Sequence, residues 1–366
     1  MKKISFVTQN IAPFRINWLD ELAKYYEVTI FHNGEYVGEV NRDYVDCKPG
    51  RASVTLIKKK IFLTIFGYDF RKIFDNHADW IILDGYGFKS QMFLIFKLRH
   101  KKIPYILNID GGFVKKENKL KSILKRALIS GAAGYLSTSE ATDKFLEFYG
   151  AEKSKIARHY LTSLYNSDIR FQQSDKFEKI LLRDELGIDV NKTIIVSIGK
   201  FIPIKGFDVL LNAMRYVDND KHLILIGGEP TDCFNDIIKS NSLNNVSFVN
   251  FVNKDMVFKY LDAADLFVFP SRGDVWGLVI NEAMARGLPI IASDQCIAAV
   301  SLVVNNENGF IVPVDNEKAL ANKINLLSED KELRSIFGKN SIEKIKAYSI
   351  ENIVKMDCKT LEHYYN

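Results

Sequence analysis

The stretch from Leu266 to Pro289 constrains the fold more than any other part of the chain. An apolar run, Leu266-Phe267-Val268-Phe269, reads as a buried strand. A polar loop follows, Pro270-Ser271-Arg272-Gly273-Asp274, and then a helical segment with apolar Leu278, Ala283 and Ala285 that Gly287 and Pro289 stop. Two acids, Asp274 and Glu282, stand in the loop and about one turn into the helix. The backbone N–H groups of Trp276, Gly277 and Leu278 fall at the helix start, where unpaired donors and the helix dipole favour an anion. One element thus offers donors to a diphosphate and carboxylates to hydroxyl groups, the combination a nucleotide sugar requires. The same residues also suit an ordinary strand–loop–helix unit with acids near a helix cap.

The plan recurs. Residues 4–8, 28–31, 80–83, 105–108 and 134–137 read as strands separated by helical patterns. Residues 193–198, 222–226, 246–248, 266–269 and 290–292 repeat the alternation. Alternating strands and helices predict an α/β chain with two Rossmann-like, doubly wound parallel sheets facing a central cleft. The polar residues 167–178 mark the break, giving domains over 1–170 and 171–348, and a last helical segment over 349–366. A chain of 366 residues is long enough for two cores. No apolar run approaches the length of a membrane span, and the amino terminus enters a strand directly. Cys47, Cys233, Cys296 and Cys358 are scattered, which suits buried reduced thiols better than disulfides or zinc.

A second motif follows the strand at 193–198: Gly199-Lys200-Phe201-Ile202-Pro203-Ile204-Lys205-Gly206. It has neither the spacing of a P-loop nor a G-x-G-x-x-G fingerprint, which argues against a dehydrogenase. Taken with Asp274 and Glu282, it resembles the signature of retaining glycosyltransferases of family 4, also called glycosyl transferases group 1, which have the GT-B architecture. Their usual pattern is Gly-Arg-x-x-x-x-Lys-Gly, then Pro-Ser-x-x-Glu-Gly-Phe-Gly-Leu and a second Glu. Here Lys200 replaces Arg, Asp274 replaces the first Glu and Trp276 replaces Phe. Lysine keeps the charge but gives up the bidentate fork.

The resemblance implies that Lys200, Lys205 and the helix start at Gly277 hold the donor diphosphate. It also implies that Glu282 binds ribose hydroxyls and Asp274 the donor sugar, and that the last helix, 349–366, returns to the first domain. Gly199, Gly227, Phe251, Val252, Trp276 and Leu278 would line the nucleotide. In the first domain Pro13, Asn108, Asp110 and His159 occupy matching strand ends, with Asp110 the candidate for a catalytic part. A nucleotide-sugar 2-epimerase of similar fold and a noncatalytic nucleotide-sugar-binding module remain alternatives. No cofactor or metal is expected: Asp218-Asn219-Asp220 matches a metal-binding D-x-D only in a polar turn, and the lysines supply the compensating charge.

Charge bears on partners. Residues 1–175 hold 28 Lys/Arg against 19 Asp/Glu, whereas the rest hold 22 against 26. Residues 97–126 are the densest basic part and are interleaved with aliphatic side chains, a pattern suited to an anionic membrane surface or to a solvated helix face. Nucleic acid fits less well, because the aromatics there do not alternate with the cations. The expected partners are a nucleotide-sugar donor, with UDP favoured, and a glycan or lipid-linked acceptor for cell-surface polysaccharide or glycolipid. The expected location is the cytoplasm, peripheral to the inner face of the membrane.

Overall fold

The computed structural model describes residues 1–9, 11–34, 48–57 and 68–363; Asn10 and Cys47 lie outside the described residues. The chain divides into two compact units, Met1–Ser163 with Ile350–Asn366, and Leu164–Ser349.

The first unit is built on strands β1 (Lys3–Thr8), β2 (Glu27–His32), β3 (Ser53–Leu56), β4 (Trp80–Asp84), β5 (Ile106–Ile109), β6 (Gly134–Ser137) and β7 (Ile156–Arg158). They form one sheet in the order β3-β2-β1-β4-β5-β6-β7, and every pairing is parallel. The central strands are apolar on both sides, as a sheet covered by helices on two faces requires: Phe6, Ile82, Leu83 and Leu107 are fully buried. Edge strands β3 and β7 are short and only partly buried, so their sequences carry little of this signal.

The second unit uses β8 (Thr193–Ile198), β9 (Lys221–Ile226), β10 (Val246–Val249), β11 (Leu266–Phe269), β12 (Ile290–Ser293) and β13 (Gly309–Val312). Their order is β10-β9-β8-β11-β12-β13, again parallel throughout. Both sheets are doubly wound, as the alternation of strands and helices implied, and each reverses its strand order once. Those reversals fall at β1/β4 and at β8/β11. In open α/β sheets the loops leaving the strands at such a reversal splay apart and leave a crevice for ligand.

Residues 167–178 lie in the second unit. Their polarity is consumed there: Arg170 N–H donates to the Ala285 carbonyl at 3.0 Å, its guanidinium pairs with Glu178 at 2.6 Å and Asp262 at 3.2 Å, and Gln173 Nε2 donates to the Gly287 carbonyl at 2.8 Å. The last helix, Ile350–His363, groups with the first unit. Its Asp357 accepts from Trp18 Nε1 at 2.8 Å, fastening it to the helix Pro13–Leu22. Among the described residues no helix is long and apolar enough to cross a membrane. The free cysteines are not all buried as expected: Cys296 is, Cys358 is half-buried, and Cys233 is exposed near the start of the helix Asp232–Ser240.

Candidate functional site

In the second unit the two motifs of the sequence meet at the β8/β11 reversal. Gly199 and Lys200 leave β8, and a tight helical turn over Pro203–Lys205 carries Lys205. Asp274 lies in the loop that leaves β11. Lys205 Nζ and Asp274 Oδ2 are 2.5 Å apart, and the ammonium also lies 5.4 Å from the centroid of the Phe269 ring. Asp274 is itself set by backbone pairing, its N–H donating to the Gln295 carbonyl at 3.2 Å.

Glycines permit this close approach. Gly206 has φ +69°, and a Cβ there would sit 2.3 Å from the Pro270 carbonyl oxygen. Gly227, at φ +137°, would place a Cβ 2.2 Å from the Gly199 carbonyl oxygen. Both contacts are with backbone, so a side chain at either position would have to push the loops apart.

Arg272 clamps the same loops and escaped the sequence reading. Its guanidinium bonds Asp208 at 2.8 and 2.6 Å, Asp315 at 2.6 Å and the Pro203 carbonyl at 2.6 Å. The Arg272 N–H donates to the Ile204 carbonyl at 2.8 Å. The bonds to Asp208, and then to Asp315, raise the already high pKa of Arg272. Its only signal in the sequence was an arginine inside the loop and an aspartate just past Lys205-Gly206.

The helix Leu278–Ala285 starts at Gly277, which has φ +106° and makes no side-chain cap. A Cβ at Gly277 would lie 2.7 Å from Cys296 Sγ. Burial, with Asp274 adding to it, pushes the Cys296 thiol up to about 12, so it stays protonated and donates to the Trp276 carbonyl at 2.9 Å. The Trp276 ring is buried, its Nε1 donating to Asn281 at 2.9 Å. Any donor contact by Trp276 is therefore made by its backbone. Glu282 is half-buried on this helix, and Leu278 opens it. Lys200 is exposed, Phe251 is exposed after β10, and Val252 beside it is half-buried. Asp218 and Asp220 both pair with Lys221, at 3.3 and 2.7 Å.

In the first unit, five polar residues converge at the β1/β4 reversal. Asp84, at the end of β4, accepts from Thr8 Oγ1 at 2.8 Å and from Arg15 at 2.9 Å. Asp110 accepts from Arg15 at 2.5 Å. Asn108 Nδ2 donates to Asp84 at 3.0 Å and to Asp110 at 3.1 Å. Burial raises the Asp84 pKa, and the neighbouring Asp110 adds to the shift. Burial also works against the charge of Arg15, but Asp110 and Asp84 outweigh it and the Arg15 pKa is raised.

Asp110 thus enters a shared ion cluster with Arg15, which the sequence reading did not single out. Pro13 starts the helix that carries Arg15. His159 is 1% exposed. Its Nδ1 lies 3.0 Å from Asp357, and its ring is 4.7 Å from that of Trp18. The ring forms part of the wall of a small cavity with Phe14, Arg15, Thr162 and Ile353.

Comparison with known proteins bears on this geometry. The pattern of the family described as Glycosyl transferases group 1 matches residues 178–344. An uncharacterized glycosyltransferase of Haemophilus influenzae is 30% identical over 280 residues, covering 75% of this chain and 73% of that protein. The N,N'-diacetylbacillosaminyl-diphospho-undecaprenol alpha-1,3-N-acetylgalactosaminyltransferase of Campylobacter jejuni is 26% identical, covering 73% and 72%. Among solved structures, Anabaena HepE in complex with UDP and glucose superposes with a TM-score of 0.78 at 19% identity, covering 99% of this chain and 100% of that one. WaaG, a glycosyltransferase involved in lipopolysaccharide biosynthesis, gives 0.71 at 13% identity, covering 97% and 98%. The fold is therefore GT-B, residues 178–344 form a glycosyl transferases group 1 domain, and the chain belongs to the glycosyltransferases.

Proposed function

We propose that the protein is a retaining, metal-independent hexosyltransferase of family 4 that moves a sugar from a UDP-sugar to a glycan or lipid-linked acceptor in cell-surface polysaccharide or glycolipid synthesis. The observation that carries this reading is the convergence of Lys205 and Asp274 at the β8/β11 reversal, beside the helix that bears Glu282. UDP is favoured because HepE, of the same fold, was solved with UDP and glucose. A lipid-linked acceptor is favoured by the activity named for the Campylobacter relative. The place of action is the cytoplasm, where such donors are made.

In this reading Lys200, Lys205 and the helix start at Gly277 hold the diphosphate. Charge builds on the leaving phosphate as the glycosidic bond breaks, and cations fixed in advance stabilise that state without reorganising. Gly199 and Gly227 keep the backbone narrow beside the nucleotide, with Phe251 and Val252 at the base. Glu282 accepts from the ribose hydroxyls and Asp274 from the sugar hydroxyls. Neither acid attacks the anomeric carbon: the leaving diphosphate takes the acceptor proton on the face it departs from, which retains configuration. Asp110 and Asn108 are the polar groups that the first unit offers to a sugar hydroxyl, and the ion pair with Arg15 fixes where Asp110 stands. Pro13 starts the helix that carries Arg15, and the buried His159 supports that helix through Trp18 and lines the small cavity beside it.

Nucleoside diphosphate release from a panel of donors, with and without acceptor and in the presence of a chelator, tests the proposal. Release from a UDP-sugar that needs acceptor and survives chelation supports it, and the product anomer reads the stereochemistry. Conversion of the donor to an epimer without acceptor would point to the epimerase alternative. Binding without any turnover would point to a noncatalytic module.

A further inference from the structure

We propose that the outward face of the helix Lys119–Ile129, with residues 114–118 that lead into it, docks onto an anionic lipid surface. The helix is anchored by one side only: Leu128 and Ile129 are buried in the first unit. Leu120, Ile123 and Leu124 are 76%, 64% and 43% exposed. Their spacing of three and four residues places them side by side on one face. Val114 is exposed just before the helix. Burying this apolar group needs a partner that the unit itself does not supply.

The charges around it indicate which partner. Lys115, Lys116, Lys119 and Lys121 are exposed along the same stretch. Between Asp110 and Glu140 the sequence holds a single carboxylate, Glu117, and it is turned inward. Glu117 pairs with Lys125 at 2.8 Å and accepts from the Tyr149 hydroxyl. Lys125 in turn lies over the Tyr149 ring at 5.1 Å, and Arg126 donates to the Phe148 carbonyl at 2.7 Å. Within residues 111–139 the outward surface is left with aliphatic side chains and ammonium groups, and Glu117 is the one carboxylate of that segment. Aliphatic residues that enter the acyl boundary, ringed by lysines at headgroup level, are the chemistry of an interfacial helix. A nucleic acid would find no aromatic platform on this face, and a protein partner would have to match four lysines with acids.

Much of the rest of the basic stretch is engaged elsewhere. On the neighbouring helix Lys89–His100, Arg99 bonds the Tyr105 hydroxyl at 2.9 Å and the Leu128 carbonyl at 3.0 Å. Lys97 lies over Phe70 and Lys101 over Phe74, at 5.3 and 5.4 Å. The exposed aliphatic side chains that mark the docking face fall within residues 114–124.

The proposal does not rest on the sugar chemistry and is read without donor or acceptor. Purified full-length protein is sedimented with vesicles of phosphatidylcholine alone and of phosphatidylcholine with 30% phosphatidylglycerol, at low and high salt. Binding is expected only with phosphatidylglycerol and should weaken as salt rises. Each lysine near such a surface is worth about 1 kcal/mol, roughly a fivefold change, so Lys115→Gln with Lys116→Gln should weaken binding by about tenfold or more. Ile123→Ser should weaken binding at both salt concentrations, because its contribution is not screened. All replaced side chains are exposed, and circular dichroism confirms that each variant is folded. Absence of binding to anionic vesicles at low salt overturns the proposal, as does unchanged binding by the folded variants. Conversion of a wild-type dimer to monomer by Ile123→Ser in sedimentation velocity also overturns it, by making the face a contact between copies.

Discussion

Lys205 and Asp274, sixty-nine positions apart in the chain, form an ion pair with Nζ and Oδ2 separated by 2.5 Å. If Lys205 holds the donor diphosphate, the nucleotide must compete with Asp274 for the ammonium. Lys205→Ala should then weaken UDP binding by about tenfold to a hundredfold, the worth of a charge-assisted hydrogen bond in a partly desolvated site. Asp274→Asn should act in the opposite sense on bare UDP, binding it at least as tightly, while sugar transfer falls. Calorimetric titration with UDP and a transfer assay separate the two effects. Equal weakening of UDP binding by both variants would count against the assigned roles.

Arg272 joins the two loops through Asp208, Asp315 and the Pro203 carbonyl. Arg272→Lys keeps the charge but can satisfy only part of this fork. The expected outcome is weaker UDP binding with a small loss of stability, about 1 kcal/mol, since the clamp is partly solvated. A thermal melt and a UDP titration of the same sample check it. A large melt shift with unaltered UDP affinity would show that the clamp serves only the fold.

Two glycines in the left-handed region separate backbone strain from crowding. Gly187 has φ +66° with open space around its Cβ position, whereas a Cβ at Gly227 would lie 2.2 Å from a carbonyl oxygen. Gly187→Ala should cost about 1 kcal/mol from strain alone. Gly227→Ala should cost more and abolish nucleotide binding, because β8 and β9 must part at the turn. Equal denaturation midpoints and normal UDP binding for both would contradict this account.

Asp265 provides the pH-dependent term. It pairs with Lys179 at 2.9 Å and Arg183 at 2.7 Å and accepts from the Ile194 N–H at 2.8 Å. Burial raises its pKa, but Lys179 and Arg183 outweigh burial and hold the carboxyl below its ordinary value. A depressed acid stabilises the fold fully above the unfolded-state value, about 4, and loses that contribution as pH falls through the folded value. Asp265→Asn should therefore destabilise by about 3 kcal/mol at pH 7, with the gap to wild type narrowing below about pH 4. Urea denaturation at pH 7 and pH 3.5 measures the gap. A gap that stays constant or widens in acid would refute the assignment.

The parallel sheets were legible in the chain because buried central strands such as Ile195-Val196 and Phe267-Val268 are apolar on both faces, a pattern that few other structures tolerate. Edge strands Ser53–Leu56 and Ile156–Arg158 escaped because half-exposed pairing leaves no such run. The local motifs were equally plain: a lysine-glycine turn after one strand, and an acid with a glycine-started helix after another. Their meeting was not. The strand order that seats β8 beside β11 is a long-range property of the sheet, and it alone brings Lys205 to Asp274. The clamp through Arg272 and Asp208 and the Arg15–Asp84–Asp110 cluster were hidden for the same reason. A charged residue in a loop looks alike in sequence whether water or a distant partner satisfies it, so only the tertiary structure decided which of these charges were already spoken for.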